Sequence, residues 1–307
     1  MRHADVALYA AKAAKVGYAT YDPTRDQYER DRITFGQDVR GAIERDELVL
    51  DYQPVVALRG RRLMGVEALV RWKHPERGIV PPADFIPMLE RLDLSGALTE
   101  WALRKAVAQV CDWRSSGLST TIAVNLSAQD LADEEFPLFI AGLLQAAHLS
   151  SDSLNIEVTE SAIMSDPETA ASVVGELDRL GVRCAIDDFG TGHSSLAYLA
   201  RLPVSSLKID RSFIRTLAVD ERTASIVQAT IDLAHRLGFT VVAEGIEDED
   251  ALRRLIALGC DFGQGYHIGP PMTAKDIHAW AAQARSAWAT SPLGQLRRLL
   301  LGAPPAA

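Results

Sequence analysis

The chain is organised around one run of residues, Val182-Arg183-Cys184-Ala185-Ile186-Asp187-Asp188-Phe189-Gly190. Its first half is apolar and β-branched, which predicts a short buried strand. Two adjacent carboxylates at the end of such a strand are costly to bury without a partner. Where the strand breaks into a loop, both Asp187 and Asp188 can turn toward one cation, which favours a metal site. The alternative is that Asp187 caps the next turn while Asp188 is solvated.

Length and composition describe a globular chain that does not bind long nucleic acids. Its 307 residues are enough for an α/β barrel, which takes about 250. No stretch approaches the roughly 18 uninterrupted apolar residues of a membrane span. The net charge of −9 disfavours a duplex nucleic acid as partner. Residues 1–15 lack the apolar core of a signal peptide, so we expect a cytoplasmic protein.

Strands and helices alternate along the chain after an amphipathic helix predicted at Ile33–Glu44. The predicted strands are Leu48–Leu58, Leu63–Trp72, Thr121–Leu126, Leu154–Val158, Val182–Ile186, Ser206–Ile209, Phe239–Ala243 and Cys260–Phe262. The predicted helices between them are Phe85–Leu92, Leu98–Ser115, Phe136–Ala147, Thr169–Leu180, Thr223–Leu237 and Glu249–Leu258. Eight strands with interleaved helices over this length favour a closed (β/α)₈ barrel over an open sheet.

The first two strands are connected by a short segment, Arg59-Gly60-Arg61-Arg62. A connection of this size forms a hairpin, whereas a parallel pair needs a crossover of a dozen residues or more. The predicted fold is therefore an α/β, modified TIM (β/α)₈ barrel with an antiparallel first strand.

Polar side chains recur in or directly after the predicted strands. They are Glu67, Asn125, Glu157, Asp187, Asp188, Lys208, Glu244 and Gln264. In a barrel the carboxyl ends of the strands meet at one face, where catalytic groups converge. Each residue alone has a structural explanation, such as an ion pair, an Asx turn or a lysine stem lying along apolar surface. Eight polar residues at corresponding positions of successive strands favour a functional site.

The residue types in this set suit hard divalent cations. Carboxylate and amide oxygens are preferred by Mg²⁺ or Mn²⁺, and the sequence has no His or Cys cluster that indicates zinc. Crowded carboxylates repel one another, so two ions explain the set better than one. A two-metal site favours hydrolysis of a phosphate ester. Lys208 could position or deprotonate the attacking water, and Arg71 is suited to contact a phosphate.

Several motifs within residues 33–285 together resemble the EAL family of cyclic di-GMP phosphodiesterases. The motifs are Glu67-Ala68-Leu69-Val70-Arg71-Trp72, Asn125-Leu126-Ser127, Glu157-Val158-Thr159-Glu160, Asp187-Asp188-Phe189-Gly190-Thr191-Gly192, Leu207-Lys208-Ile209-Asp210, Ala243-Glu244-Gly245-Ile246-Glu247 and Gly263-Gln264-Gly265-Tyr266. The resemblance implies an enzyme that opens cyclic di-GMP to the linear dinucleotide pGpG with two Mg²⁺ or Mn²⁺ ions. It also implies a barrel with an antiparallel first strand.

The resemblance assigns a role to each matching residue. The implied metal ligands are Glu67, Asn125, Glu157, Asp187, Asp188 and Glu244, with Gln264 and Glu244 acting directly or through water. The implied catalytic residues are Lys208 beside the attacking water, Glu67 and Glu244. The implied substrate contacts are Gln53, Arg71 and Gln264. Glu160 is expected to hold the loop after Asp188, and Glu247 is expected to support the site from behind.

Two departures from the family pattern affect loops or subunit contacts. His193 stands where an aromatic residue is usual, and Pro270-Pro271 replaces a basic residue followed by proline. The resemblance further implies a homodimer coupled to the loop after the aspartate pair.

The first residues resemble a different domain. Residues 4–12 are similar to the last helix of a GGDEF diguanylate cyclase domain, whose active-site motif is absent from this sequence. We therefore expect a GGDEF remnant and linker at residues 1–30, the phosphodiesterase domain at 31–290 and a loosely ordered tail at 291–307. Upstream GGDEF or sensory domains are expected in a longer protein.

Two alternatives to hydrolysis stay open. The first is a catalytically silent cyclic di-GMP receptor, a kind of domain that usually lacks some metal ligands. The second is a Mg²⁺-dependent enolising barrel, which does not predict an aspartate pair together with Lys208 and Glu244 at these spacings.

Overall fold

The structure, a computed structural model, describes residues 38–60, 62–191, 196–199 and 201–290. Within these ranges the second half of the predicted helix Ile33–Glu44 is helical, over residues 38–44. The helix expected at residues 4–12, His193 and the tail at 291–307 lie outside the described residues. No helix in the described ranges is both long enough and apolar enough to span a bilayer.

Nine strands are found among the described residues, and eight of them form the barrel. They are β1 (Leu48–Ala57), β2 (Leu63–His74), β3 (Gly78–Val80), β4 (Thr121–Leu126), β5 (Leu154–Thr159), β6 (Arg183–Phe189), β7 (Ser206–Ile209), β8 (Thr240–Ala243) and β9 (Phe262–Gly263). The order β1-β9-β8-β7-β6-β5-β4-β2 closes because β1 also pairs with β2. Strand β1 is antiparallel to β9, whereas β2 and β4–β9 run parallel to one another around the barrel. The predicted barrel with its antiparallel first strand is confirmed.

Helices separate the parallel strands. They are α1 (Pro82–Arg91), α2 (Ser95–Ser115), α3 (Ala128–Leu131), α4 (Phe136–Ala146), α5 (Glu160–Ser165), α6 (Pro167–Arg179), α7 (Leu196–Leu199), α8 (Arg211–Ile214), α9 (Glu221–Arg236), α10 (Glu249–Leu258) and α11 (Ala274–Thr290), with a 3₁₀ turn at Ser151–Ser153. Strand β3 and helices α3, α5, α7, α8 and α11 were not predicted. The prediction that β6 ends at Ile186 was wrong, since the strand continues through Phe189.

The core lies between the strands and the surrounding helices. Alternate strand residues, such as Ile122 and Val124 of β4 and Ile156 and Val158 of β5, are buried against the helices in one apolar cluster. The residues between them face the barrel interior, because successive side chains of a strand point to opposite faces. This alternation brings Asn125 and Glu157 to the interior as paired neighbours.

A smaller compact unit is formed by residues 38–48 and 72–94 of the described chain. Within it, Trp72 donates a hydrogen bond from Nε1 to the carboxylate of Glu47, 2.9 Å away, and its ring packs edge-on against Phe85. The hairpin between β2 and β3 pairs Trp72 with Val80. These contacts explain why Trp72 is fully buried.

Candidate active site

A buried lysine occupies the centre of the polar cluster in the barrel. The Lys208 ammonium lies 2.6 Å from Glu157 Oε2 and 2.7 Å from Glu244 Oε1. Glu67 Oε2 and Asp187 Oδ1 lie 3.3 and 3.4 Å away. Only 1% of Lys208 is exposed, so all four contacts are shielded from solvent. Three strands, and the residue that follows a fourth, thus place their carboxylates around one cationic atom.

Two amide side chains orient the carboxylate of Glu67. Asn125 donates a hydrogen bond from Nδ2 to Glu67 Oε1 at 2.8 Å, and Gln264 donates one from Nε2 to Glu67 Oε2 at 2.7 Å. The same Gln264 nitrogen lies 3.1 Å from Glu244 Oε1. The amides therefore connect the carboxylates of Glu67 and Glu244 and fix their orientation.

The aspartate pair owes its geometry to a backbone irregularity at the end of β6. Pairing between β6 and β7 shifts register between Ile186 and Phe189, and Asp188 has a φ of +54°. Aspartate is one of the few residues that adopt this left-handed conformation at modest cost. The Asp188 amide donates to Asp187 Oδ1 at 2.9 Å. As a result both neighbours line the same cavity instead of facing opposite sides of the sheet.

Burial and mutual repulsion raise the proton affinity of several acidic side chains. Burial, with added repulsion from Glu67, raises the pKa of Glu157 well above its usual value. Burial also raises the pKa of Glu244 to about 8, against the attraction of Lys208. For Asp188, burial and then repulsion from Asp187 raise the pKa. The direction of these shifts indicates that positive charge stabilises the ionised cluster.

The pKa values of Glu67 and Lys208 shift in the directions that favour their charged forms. Burial opposes ionisation of Glu67, but Lys208 and the hydrogen bonds from Gln264 and Asn125 together lower its pKa. Burial likewise opposes protonation of Lys208, but the surrounding carboxylates hold its pKa well above the ordinary value. The geometry therefore favours an ammonium beside an ionised Glu67.

The residues present fit divalent cations with oxygen ligands. Ligand atoms lie within 4.8 Å of one another in two groups, Glu67, Glu157 and Asp187, and Asp187, Asp188 and Glu244. Gln264 Oε1 is buried and has no hydrogen-bond partner among the described residues, so it is a free acceptor beside these groups. Asp187 belongs to both groups and is the carboxylate that they share.

A cavity of about 640 Å³ opens above the carboxylates at the C-terminal ends of the strands. It is lined by Gln53, Glu67, Leu69, Asp187, Asp188, Thr191, Asp210, Arg211, Glu244, Gly245, Glu247, Gln264, Gly265 and Tyr266. Gln53 is held there by a hydrogen bond from Nε2 to the carbonyl oxygen of Gly269, 3.2 Å away. Tyr266 is 71% exposed and presents its ring at the cavity wall.

Besides Gln53, three of the sequence-predicted residues lie outside the cluster around Lys208. Arg71 forms an ion pair with Asp51, with 3.2 Å between Nε and Oδ2, and is not among the residues that line the cavity. Glu160 is buried behind the aspartate pair, where its Oε2 accepts a hydrogen bond from the Gly190 amide. Glu247 is exposed at the wall of the cavity.

Sequence reasoning gave no role to three side chains that line the cavity, Asp210, Arg211 and Tyr266. A signal was available, because Asp210 directly follows β7 and Tyr266 follows Gln264 after one glycine. Asp210 also caps α8 by accepting a hydrogen bond from the Ser212 amide at 3.0 Å. Its position therefore has a structural as well as a functional explanation.

One protein-family model matches most of the chain. The family model described as EAL domain matches residues 36–271. The chain belongs to the EAL domain family. The resemblance found in the sequence motifs is thereby confirmed.

Two relatives from Pseudomonas aeruginosa are longer than this chain. The chain is 40% identical over 271 residues to the cyclic di-GMP phosphodiesterase PA2567 of Pseudomonas aeruginosa, covering 88% of this chain and 46% of that protein. It is 40% identical over 284 residues to the bifunctional diguanylate cyclase/cyclic di-GMP phosphodiesterase MucR of the same organism, covering 92% and 42%. The chain therefore spans less than half the length of these relatives.

A solved structure matches the same fold. The PaMucR phosphodiesterase in complex with c-di-GMP has a TM-score of 0.76 and 42% sequence identity, over 80% of this chain and 99% of that chain. The match covers nearly the whole of that domain.

Proposed function

We propose that this EAL domain hydrolyses cyclic di-GMP to the linear dinucleotide pGpG with the help of two divalent cations. The observation that carries the proposal is the convergence of five carboxylates and Lys208 at the floor of one open cavity. Membership of the EAL family and the names of the relatives support the choice of substrate.

The cluster provides a complete set of oxygen ligands for Mg²⁺ or Mn²⁺. The proposed ligands are Glu67, Asn125, Glu157, Asp187, Asp188 and Glu244, with Gln264 directly or through water. When bound, such ions lower the pKa of a coordinated water and neutralise charge on the phosphate. The hydrogen bonds from Asn125 and Gln264 keep the Glu67 carboxylate in a fixed orientation for this task.

Lys208 is proposed to act on the attacking water and on the phosphoryl oxygens. Its ammonium is held by Glu67, Glu157 and Glu244, so its direction is fixed before the substrate arrives. In the reaction the water oxygen forms a bond to phosphorus and one P–O3′ bond breaks. The water's proton leaves the nucleophile and the O3′ oxygen gains a proton, which yields a 5′-phosphate and a 3′-hydroxyl.

Other residues are proposed to bind and position the dinucleotide. Gln53 and Gln264 face the cavity and can hydrogen bond to the bases or sugars. Arg71 stays a proposed substrate contact that must first exchange its partner Asp51 for a phosphate. Glu160 is proposed to position the aspartate pair through Gly190, and Glu247 is proposed to support the site from the cavity wall.

The decisive experiment is an assay for the linear dinucleotide. Purified chain is incubated with cyclic di-GMP and Mg²⁺, Mn²⁺ or EDTA, and products are separated by chromatography. We expect pGpG only with a divalent cation, and no product from Glu67→Ala. The exposed Glu100→Ala on α2 is the matched control and should hydrolyse as the parent does. Tight binding of cyclic di-GMP without product under every metal would instead support a receptor.

The oligomeric state and the neighbouring domain are also proposals. We infer that the chain is a homodimer and that residues 1–30 are a remnant of a GGDEF domain with its linker. In support of the second inference, the relative MucR is named a bifunctional diguanylate cyclase/cyclic di-GMP phosphodiesterase. Analytical ultracentrifugation at micromolar concentration tests the dimer, and a monomeric profile would contradict it.

A further inference from the structure

A second cavity lies in the barrel at the N-terminal ends of the parallel strands, and we call it the N-terminal cavity. Its volume is about 380 Å³, which is within the range of small-molecule pockets. Glu157 and Lys208 line its inner end, whereas the exposed residues Arg183 and Thr240 line its outer end. No described residue lines both this cavity and the one above the carboxylates. The barrel therefore has a separate cavity at each end.

The shape of the N-terminal cavity follows from the inward-facing residues of the strands. Strand alternation points the residue two positions before each site residue into the barrel, where bulky side chains are usual. On β2 and β4–β7 these residues are small or polar, namely Gly65, Ala123, Asn155, Ala185 and Ser206. On β1, β8 and β9 the cavity is lined by the bulky residues Val55, Val242 and Phe262. The cavity thus has one small, partly polar side and one apolar wall.

The side-chain amide of Asn155 is incompletely paired in this cavity. Its Nδ2 lies 3.4 Å from Thr121 Oγ1, which is a long contact, and its buried Oδ1 has no hydrogen-bond partner among the described residues. The Thr121 hydroxyl donates to the carbonyl oxygen of Met64 at 3.2 Å, so exchanging the two amide atoms of Asn155 would leave the nitrogen without an acceptor. Buried polar atoms are normally paired, so Asn155 Oδ1 calls for a donor in the cavity.

Arg183 provides a positive charge beside this amide. It is the register partner of Asn155 across β5 and β6, and it faces the barrel interior because its neighbour Cys184 packs against the helices. The Arg183 guanidinium has no ion-pair or hydrogen-bond partner among the described residues. It can therefore bind a carboxylate through two parallel hydrogen bonds without breaking an existing contact.

We propose that the N-terminal cavity binds a small organic carboxylate that has an apolar body and a hydrogen-bond donor. The carboxylate contacts Arg183, the body packs against Val242 and Phe262, and the donor reaches Asn155 Oδ1. The carboxylate faces outward, because Glu157 at the inner end of the cavity repels it. This site needs neither a metal ion nor cyclic di-GMP. Since the two cavities share no lining residue, both can be filled at the same time.

Titration with 4-hydroxybenzoate tests the proposal, because this probe combines a carboxylate, an apolar ring and a hydroxyl donor. We expect calorimetry to give a dissociation constant of about 1 mM or lower. In spectra of protein with labelled alanine methyl groups, the signals of Ala123 and Ala185 should shift. The signal of Ala106, buried on α2 and outside the cavity, should not. The analogues 4-hydroxybenzamide and benzoate lack the charge and the hydroxyl donor, respectively, so each should bind at least about threefold more weakly.

Two arginine variants show which cavity holds the probe. Arg183→Gln removes the charge at an exposed position and should weaken 4-hydroxybenzoate binding about tenfold while leaving 4-hydroxybenzamide unaffected. Arg211→Gln is the matched control, since Arg211 is also exposed but lines the cavity above the carboxylates. It should bind the probe as the parent does. A loss of affinity in Arg211→Gln but not in Arg183→Gln would overturn the proposal.

Two variants inside the N-terminal cavity test the donor contact and the space. Asn155→Leu keeps a similar volume without the acceptor, so 4-hydroxybenzoate should bind it no better than benzoate does. Ala123→Leu fills part of the cavity and should abolish binding of all three compounds. If Ala123→Leu does not fold, the exposed Arg183→Gln together with Asn155→Leu decides.

The outcomes separate this inference from the proposed function. A dissociation constant above about 10 mM, or equal affinities of the parent for the three compounds, would show adventitious binding only and overturn the inference. Arg183→Gln should form pGpG as fast as the parent does, because Arg183 lies outside the proposed active site. A parent that forms pGpG but does not bind the probe contradicts the carboxylate site alone. A parent that binds the probe but forms no pGpG contradicts the proposed function alone.

Discussion

The Glu160 carboxylate accepts a hydrogen bond from the backbone amide of Gly190, with 3.2 Å between Oε2 and the nitrogen. Glu160 begins helix α5 directly after β5, whereas Gly190 follows the aspartate pair at the end of β6. Gly190 has a φ of +95°, and an added Cβ would lie 3.0 Å from the Phe213 ring. The backbone at Gly190, directly after β6, is therefore held by a buried acceptor at the start of the helix that follows the neighbouring strand.

Replacing Glu160 should impair catalysis through the aspartate pair. A hydrogen bond to a charged group is worth about 1.5–3 kcal/mol, so we expect Glu160→Ala to lose about 10- to 100-fold in kcat/KM and to need more Mn²⁺. Glu160→Gln retains an oxygen acceptor and should lose less. The exposed Glu176→Ala on α6 is the control. Equal activities for Glu160→Ala and the parent would show that Gly190 needs no such support.

Substitutions of Asp188 can distinguish its proposed role as a metal ligand from its role in adopting a left-handed backbone conformation. Asparagine tolerates a φ of +54°, so Asp188→Asn should fold as stably as the parent in EDTA, yet hydrolyse at least about 100-fold more slowly. Asp188→Ala should be less stable than Asp188→Asn by about 1 kcal/mol, because alanine disfavours this conformation. Asp93→Asn has a similar φ of +53° on an exposed turn and should change neither property. Urea unfolding and the pGpG assay make the comparison.

The stability of the metal-free protein should fall as the pH rises from 6 to about 8. The pKa of Glu244 is raised to about 8 and that of Glu157 is raised as well, whereas an unfolded glutamate titrates near pH ~4.3. Between these values the folded protein holds more protons than the unfolded chain, so the free energy of unfolding decreases with pH. The lowered pKa of Glu67 and the raised pKa of Lys208 act outside this window.

Thermal unfolding in EDTA and in saturating Mn²⁺ checks this expectation. We expect a slope on the order of 1 kcal/mol per pH unit in EDTA. With Mn²⁺ the slope should flatten or reverse, because bound carboxylates are already ionised. A melting temperature that rises with pH in EDTA would contradict the assigned pKa directions.

Tyr266 should contribute to substrate affinity rather than to the chemical step. Tyr266 is 71% exposed and lines the cavity, and stacking of a base on an aromatic ring is worth about 1–3 kcal/mol. Tyr266→Ala should therefore raise KM about 5- to 100-fold with little change in kcat, whereas Tyr266→Phe should behave as the parent does. Leu138→Ala is a matched control, since Leu138 on α4 is also 71% exposed. An unchanged KM for Tyr266→Ala would show that the ring does not contribute to substrate binding.

Helices and strands were predicted accurately where the sequence carries both a clear apolar pattern and residues that mark the ends of the element. Helix α10 was predicted at its observed bounds, because Asp248 caps its start and Gly259 ends it in a left-handed conformation. Strand β4 was also predicted at its observed bounds, from the apolar residues that flank Asn125. Strand β3 was missed because three residues are too short to show periodicity. Helix α11 was missed because small residues dilute its apolar pattern.

The candidate site was predictable in its membership but not in its contacts. Strand ends and motif spacing named Glu67, Glu157 and Lys208, because these properties are local. The four-carboxylate environment of Lys208 and the pairing of Arg71 with Asp51 depend on how distant strands align around the barrel. The extension of β6 through Asp188 was missed for a related reason, since adjacent acidic residues indicate a loop when the partner strand is unknown.

The hydrogen bond between Gln264 and Glu67 connects residues 197 positions apart. Contacts of such large sequence separation form late in folding, because a long loop must close before they are gained. Strand β9, which precedes Gln264, is also the strand that pairs with β1 to complete the ring. Cation affinity should consequently appear only at the final stage of folding, so a nascent or truncated chain that lacks β9 would carry most of the ligands and still be inert.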